Sequence, residues 1–298
     1  MLSVNIPVYN IKVDNLVLQL IAQTKKLDIS FEIRVYDDGS KDEYKTSNRV
    51  ISEYKNVVYV ELEKNLGRSA IRNKMGVDSK FQYLLFIDAD SKIIKDDYLE
   101  LFLNNTQPNQ VLCGGTAYQK DKPTEPKKLL RWLYGTNREA VSAEIRNSKK
   151  GFIITSNNFL IKKKVFDEIH FREELKNYGH EDTLLGYDLF KNGIEIFHIN
   201  NPVEHTGLEE SELFIEKTKL ALENLHKISC NLLAHETEFV EQVHFLNKYY
   251  RISKYIPTLF IRLFYKISKG WIEQNLTSKN PNLLWFDLYK LGFYSTLK

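Results

Sequence analysis

Short apolar runs alternate with segments of helical periodicity along the first third of the chain. The runs 2–6, 31–36, 57–62, 83–87 and 110–113 have the length and the branched or aromatic content of strands. Between them, 12–26, 41–54, 66–79 and 96–105 carry apolar residues three and four apart. In the first of these, Val13, Leu16, Val17, Leu20 and Ile21 share one face. Tyr83-Leu84-Leu85-Phe86-Ile87 is apolar at every position, which predicts a central strand covered on both sides. Strands alternating with helices of this length predict an α/β fold with a doubly wound, mostly parallel sheet. After residue 115 the alternation breaks. Lys120–Lys128 is polar, holds two prolines and reads as a loop. Further strands are expected at 152–155, 159–162 and 194–199, with a helix at 182–192 stopped by Gly193. From about residue 209 the pattern is almost wholly helical.

A chain of 298 residues is long enough for one large α/β domain with an appendage. The expected division is 1–225 for the α/β domain and 226–298 for a helical extension. A net charge of +3 gives no argument for a nucleic-acid partner. Cys113 and Cys230 are the only cysteines and fit no metal-ligand spacing, which suits a reducing compartment. The chain opens into a strand without the basic and apolar regions of a secretory signal. It contains no apolar run of about 18 residues. A cytoplasmic location follows as the expectation.

Chemistry concentrates where strands end. Asp88-Ala89-Asp90 follows the central run 83–87. Two carboxylates at the carboxyl edge of an open α/β sheet, where such folds bind ligands, can hold Mg2+ or Mn2+ through oxygen. Pro7-Val8-Tyr9-Asn10 ends the first strand and exposes Tyr9. Asp37-Asp38-Gly39-Ser40 ends the second, and also has the composition of a helix N-cap. Asn65-Leu66-Gly67-Arg68-Ser69-Ala70-Ile71-Arg72-Asn73 is a loop feeding a helix with two arginines. Gly179-His180-Glu181-Asp182 opens the helix at 182–192, so its acids also suit a cap and the helix dipole. His205 follows the last expected strand, while His198 lies inside it and reads as structural. Asn157 and Asn158 are further candidates to face a bound sugar.

In this order, the five motifs resemble those of the family 2 glycosyltransferases, nucleotide-sugar-dependent enzymes with the GT-A fold. The resemblance spans roughly residues 1–225. It implies a GT-A-like sheet whose first half is a Rossmann-like nucleotide-binding unit. It also implies that Pro7 and Tyr9 line the base pocket, that Asp38, with Asp37, accepts from the uracil N3–H, and that the Asn65 segment brings Arg68 or Arg72 to the nucleotide. Asp88 and Asp90 would hold Mn2+ or Mg2+, Asp90 the more directly, with His205 reaching the cation or the diphosphate. Asp182 would be the base for the acceptor hydroxyl, with Glu181 orienting it. The implied activity is inverting transfer of a hexosyl or N-acetylhexosaminyl group, from a UDP-sugar by preference, to a glycan or lipid-linked glycan of the cell envelope. Two alternatives share the fold. A polyprenyl-phosphate sugar synthase would not need the Glu181-Asp182 pair, and a non-catalytic glycan-binding relative would be expected to have lost a carboxylate. A sugar nucleotidyltransferase would want a Gly-rich basic loop where Pro7-Val8-Tyr9-Asn10 stands.

The tail carries a separate signal. Residues 248–269 contain Lys248, Arg251, Lys254, Arg262, Lys266 and Lys269 and no acid. Phe260, Leu263, Phe264, Ile267 and Trp271 recur at helical spacing, and Pro257 suits a helix start. One reading is a helix packed on the catalytic domain with a solvated basic side. The other is an interfacial helix, 248–271, on an anionic membrane face, which would give a peripheral place at the inner side of the cell membrane.

Overall fold

The computed structural model describes residues 1–149, 151–175 and 178–297. Ten strands form: β1 (Leu2–Val8), β2 (Phe31–Asp37), β3 (Val57–Glu61), β4 (Tyr83–Ile87), β5 (Ser91–Ile93), β6 (Gln110–Cys113), β7 (Thr116–Ala117), β8 (Asn158–Lys162), β9 (Glu195–His198) and β10 (Val203–His205). Seven of them make one sheet in the order β3-β2-β1-β4-β8-β6-β9. Strands β1 to β4 run parallel, β8 runs antiparallel to both of its neighbours, and β6 and β9 are again parallel. This is the doubly wound, mostly parallel sheet of a GT-A-like fold, with a helical C-terminal region.

The alternation of side chains along β4 explains its unbroken apolar run. Leu85 and Ile87 join a core with β1, with Val13, and with Leu16, Val17 and Leu20 of the helix Asp14–Thr24. Leu84 and Phe86 join a second core with Ile71 and Met75 of the helix Arg68–Asp78, and with Leu185 and Leu189 of the helix Glu181–Lys191. Both faces of the strand are therefore covered by helices. The chain leaves β1 to one side through β2 and β3, then returns to β4 on the other. That reversal makes a crevice beyond the carboxyl ends of β1 and β4.

The expected strand at 152–155 does not form. Strand β8 already occupies the ladder between β4 and β6, and the segment lies against the helix Glu181–Lys191 instead, with Phe152 edge-on to Tyr187. The expected helix at 41–54 breaks into an α-helix, Asp42–Asn48, and a 3₁₀ turn, Arg49–Glu53. A second, three-stranded sheet, β5-β10-β7, was not legible in the sequence. Its strands are only two or three residues long, too short for a periodicity to show.

By contact density the chain divides into two units. The first comprises Met1–Tyr118, Glu139–Lys176 and Glu181–Gly207 and holds both sheets. The second comprises Gln119–Arg138, Asn177–His180 and Leu208–Lys298. Residue 225 falls within the second unit's helix Ser211–Lys227. The core of this unit joins Leu130, Phe214 and Ile215 to Tyr265, Ile272 and Leu276 of the helix Thr258–Leu276, and to Phe286 and Tyr289 of the helix Leu283–Tyr294.

The helix Glu181–Lys191 is seated by Gly186, where a Cβ would stand 2.0 Å from the Phe152 carbonyl oxygen. A clash with backbone cannot be relieved by a rotamer change. Gly186→Ala is therefore expected to destabilise the protein by about 1–3 kcal/mol, read as a lower urea midpoint. An unchanged midpoint would mean that the 152 segment does not pack on this helix.

Candidate active site

The turns that follow β1 and β2 are tied to each other. The backbone N–H of Asp38 donates to the Val8 carbonyl. Asn10 holds a left-handed backbone (φ 52). Its N–H donates to Ser40 Oγ at 2.8 Å, and its Oδ1 accepts from the Lys41 N–H at 2.9 Å. Asp37 is fully buried and accepts from the Ser40 N–H at 2.7 Å. Tyr9 is 57% exposed at the rim.

Asp38 faces the loop that follows β3. Its two carboxylate oxygens accept from the N–H groups of Leu66 (2.7 Å) and Gly67 (3.1 Å), and Asn65 Nδ2 donates to its carbonyl. Gly39 (φ +76) lies so close that a Cβ would be 2.8 Å from the Asn65 nitrogen. Burial raises the Asp38 carboxyl above its ordinary value, the Asp37 charge adds to this, and the Leu66 and Gly67 N–H groups oppose it. The acid expected to meet a nucleobase thus anchors the 65–67 loop.

That loop releases the chain into the helix Arg68–Asp78. Arg68 and Arg72, one turn apart, lie on one side of it. Arg72 is buried and donates to Asp88 Oδ1 at 2.6 Å and to the Arg68 carbonyl. Arg68 reaches Glu181 Oε1 at 3.4 Å. Asn73 turns away to clamp Phe171 and Glu173.

Glu181 and Asp182 begin their helix after two left-handed residues, Gly179 (φ 98) and His180 (φ 66). These adjacent acids are driven in opposite directions. Burial pushes Glu181 up, but the Arg68 and Arg72 guanidiniums outweigh it and hold the carboxyl below its usual range. Asp182 is pushed up to about 6, by burial and then by the Glu181 charge, against the opposing Thr183 N–H. One acid is an ion-pair partner, while its neighbour is poised to take a proton near neutrality.

Asp90 and His205 meet through register. Strands β5 and β10 pair antiparallel with His205 opposite Ser91, and Thr206 donates through both N–H and Oγ1 to the Asp90 carbonyl. His205 Nδ1 then stands 3.4 Å from Asp90 Oδ2, with the Tyr118 ring edge-on to the imidazole. Gly207 closes the cradle, since a Cβ there would be 2.5 Å from Asp90 Oδ2. Burial pushes the Asp90 carboxyl up, but His205 and Arg68 hold it lower than usual. His205 Nε2 is buried without a hydrogen-bond partner.

Among the described residues no three His, Cys, Asp or Glu side chains converge as a complete metal site. Asp88 pairs with Arg72, whereas Asp90 pairs with His205. One carboxylate and one imidazole with an unpartnered nitrogen form a donor pair that suits Mn2+, with its other coordination positions left for oxygens of a ligand. The residues fit a shared cation, not a closed protein cage.

Asn158 is structural. It accepts from Tyr98 Oη and donates to the carbonyls of Gly115 and Asn201. Asn157 lies at the edge of the site. Its carbonyl accepts from the Asp88 N–H, and its Oδ1 is buried without a partner. His198 is also structural, driven down to about 4 by burial and the Arg146 charge. The sequence reading missed Tyr118 and Gly207 as neighbours of the Asp90–His205 pair. Gly207 stands two residues after His205 and was within reach, but nothing in the sequence links Tyr118 to His205.

Comparison with known proteins matches most of the first unit, as far as residue 170, to one family. The model of glycosyl transferase family 2 matches residues 3–170, and the chain belongs to that family. An uncharacterized glycosyltransferase of Rickettsia felis is 33% identical over 122 residues, covering 40% of this chain and 19% of the relative. The chain spans about a fifth to little over half of the length of the curated relatives it matches. Among solved structures, S. aureus TarS 1–349 in complex with UDP is similar with a TM-score of 0.53 and 21% identity, over 93% of this chain and 79% of that one. The mannosyltransferase PcManGT of Pyrobaculum calidifontis, in complex with GDP-Man and Mn2+, is similar with a TM-score of 0.55 and 12% identity, over 97% and 85%.

Removing the Asp38 carboxylate would leave two backbone donors of the 65–67 loop unpaired. Asp38→Ala is expected to cost about 2 kcal/mol or more in chemical denaturation and to expose the Leu66 and Gly67 amides to hydrogen exchange. Wild-type protection at both amides would show that the loop does not depend on Asp38.

Proposed function

We propose that this protein is an inverting, cation-dependent glycosyltransferase. It moves a hexosyl or N-acetylhexosaminyl group from a nucleotide sugar, a UDP-sugar by preference, to a hydroxyl of a glycan or lipid-linked glycan. The observation that carries this reading is the opposed pair Glu181 and Asp182. A carboxyl raised to about 6 beside an arginine-held carboxylate is what removal of a hydroxyl proton requires. An acceptor that is already a phosphate anion would make no use of it. The fold is shared with complexes of UDP and of GDP-Man with Mn2+, which supports a nucleotide-sugar donor.

In this reading Pro7, Tyr9, Asp37, Asp38 and Asn65 form the nucleoside side of the crevice, the two acids chiefly by holding its turns. Arg68 and Arg72 face the diphosphate, and Arg72 keeps Asp88 in position. Asp90 and His205 would hold Mn2+ or Mg2+, which when bound supplies positive charge against the diphosphate. Asp182 takes the proton of the acceptor hydroxyl as its oxygen bonds to the anomeric carbon. The bond from that carbon to the diphosphate oxygen breaks, its electron pair leaves with the nucleoside diphosphate, and the anomeric configuration inverts. Glu181, fixed by Arg68, orients Asp182 and the acceptor. Residues 248–271 keep the protein at an anionic membrane face on the cytoplasmic side.

Because only the ionised Asp182 accepts a proton, kcat/KM is expected to rise through about pH 6 and to level off above it. Asp182→Asn should lower kcat by about a hundredfold or more, remove that limb, and leave UDP affinity nearly unchanged by calorimetry. Turnover near wild type in this variant would refute the assignment of the base. Asp90→Ala and His205→Ala should each weaken Mn2+-dependent binding of UDP while leaving metal-free binding intact. Equal losses with and without Mn2+ would assign both residues to the nucleotide alone.

A further inference from the structure

We infer that the helix Thr258–Leu276 lies flat on an anionic lipid surface, with its exposed apolar stripe sunk into the headgroup layer. This refines the membrane role proposed above for 248–271 and does not depend on the transfer chemistry.

The helix has two apolar sides, and only one is used within the helical unit. Tyr265, Ile272 and Leu276 are buried against the helix Leu283–Tyr294 and the rest of that core. The approach is close at Gly292, where a Cβ would be 2.6 Å from Tyr265 Cβ. The core of the helical unit is thus built from Tyr265, Ile272 and Leu276, not from Phe260, Leu263, Phe264, Ile267 or Trp271. These five residues, with Leu259, occupy the other side of the helix and are 42% to 77% exposed. A contiguous row of large apolar side chains in water marks a surface that another phase or molecule covers.

Charge selects the occupant. No acid occurs in 248–269. Arg262 is engaged by the Ser295 carbonyl, and Lys269 stands 4.0 Å from Glu273. Lys266 on this helix, and Lys248, Arg251 and Lys254 on or just after the preceding helix His244–Ser253, are exposed. A second copy of this face, brought in by a two-fold axis, would set these cations against their own counterparts. An anionic headgroup layer instead accepts the cations and the apolar row together. Trp271, packed edge-on against Trp285 at 4.4 Å, belongs to the residue type that favours the boundary between headgroups and acyl chains. Spanning is excluded for this helix, since no described helix is long and apolar enough to cross a membrane. Its 19 residues, about 28 Å long, fit an in-plane position.

The full chain should co-sediment with phosphatidylglycerol–phosphatidylcholine vesicles, at least about tenfold more than with phosphatidylcholine alone, and release as salt is raised. Phe260→Ser combined with Ile267→Ser, and separately Lys254→Glu combined with Lys266→Glu, should each lower that partitioning about tenfold or more. Both pairs are exposed, so circular dichroism and transfer to a soluble acceptor should stay at wild-type level. Three results would overturn the inference: no preference for anionic vesicles, binding indifferent to both pairs, or a dimer in analytical ultracentrifugation that Phe260→Ser with Ile267→Ser dissolves. Inactivity of the wild-type protein toward every nucleotide sugar would refute the transferase reading and leave this one standing.

Discussion

Two arginines on one helix make it possible to gather four carboxylates at one edge of a sheet. Asp88, Asp90, Glu181 and Asp182 would repel one another in a partly desolvated crevice, and without cations they would protonate or swing apart. Arg72 sits against Asp88 and Arg68 against Glu181, and the field of Arg68 extends to Asp90. The compensation is unequal. Glu181 and Asp90 are held below their usual range, whereas Asp182, beside the charged Glu181, is raised. Its carboxyl is raised first by its own burial and then by the Glu181 charge, and the two arginines only partly offset this. Burial and the placement of positive charge together set the two adjacent acids apart.

The second constraint is register. Asp90 and His205 are far apart in the chain and come together because β5 and β10 pair in one alignment. A slip of β10 by one residue would turn His205 to the opposite face of that small sheet, away from Asp90. Thr206, bound twice to the Asp90 carbonyl, and Gly207, which leaves no room for a side chain, hold the alignment at the point where it matters. The loops after β1, β2 and β3 are stitched in a similar way by Asn10, Asp38 and Asn65. The crevice is built of short turns cross-braced by side-chain bonds and carried on a rigid sheet.

The helical unit follows a different logic. Its core is aromatic, and the helix Thr258–Leu276 contributes only its narrower apolar side to it. The wider apolar side, fringed by lysine and arginine, is left in water by the fold. In the crevice, polar groups are braced against one another over short distances. On this surface, apolar area and positive charge are laid out over a length of about five helical turns, which matches an extended, anionic, fluid partner.

The amino-acid sequence by itself determined the order of the main sheet's strands and their helices through residue 113, the burial of 83–87 on both faces, and the position of each acidic motif at a strand end or helix start. These are short-range properties, set by side-chain alternation, helical spacing and turn-forming residues. Which acid pairs with which cation was decided only by the tertiary structure. Arg72 meets Asp88, not Asp90, and the partner of Asp90 comes from β10, more than a hundred residues further along the chain. Asp38 binds the loop after β3, Asn158 is locked among carbonyls, and the stripe at 260–271 is exposed. Each of these outcomes depends on ångström-scale distances between residues remote in the chain. Periodicity can show that a helix has an apolar side, but only packing decides which of two such sides is buried and which is left for a partner.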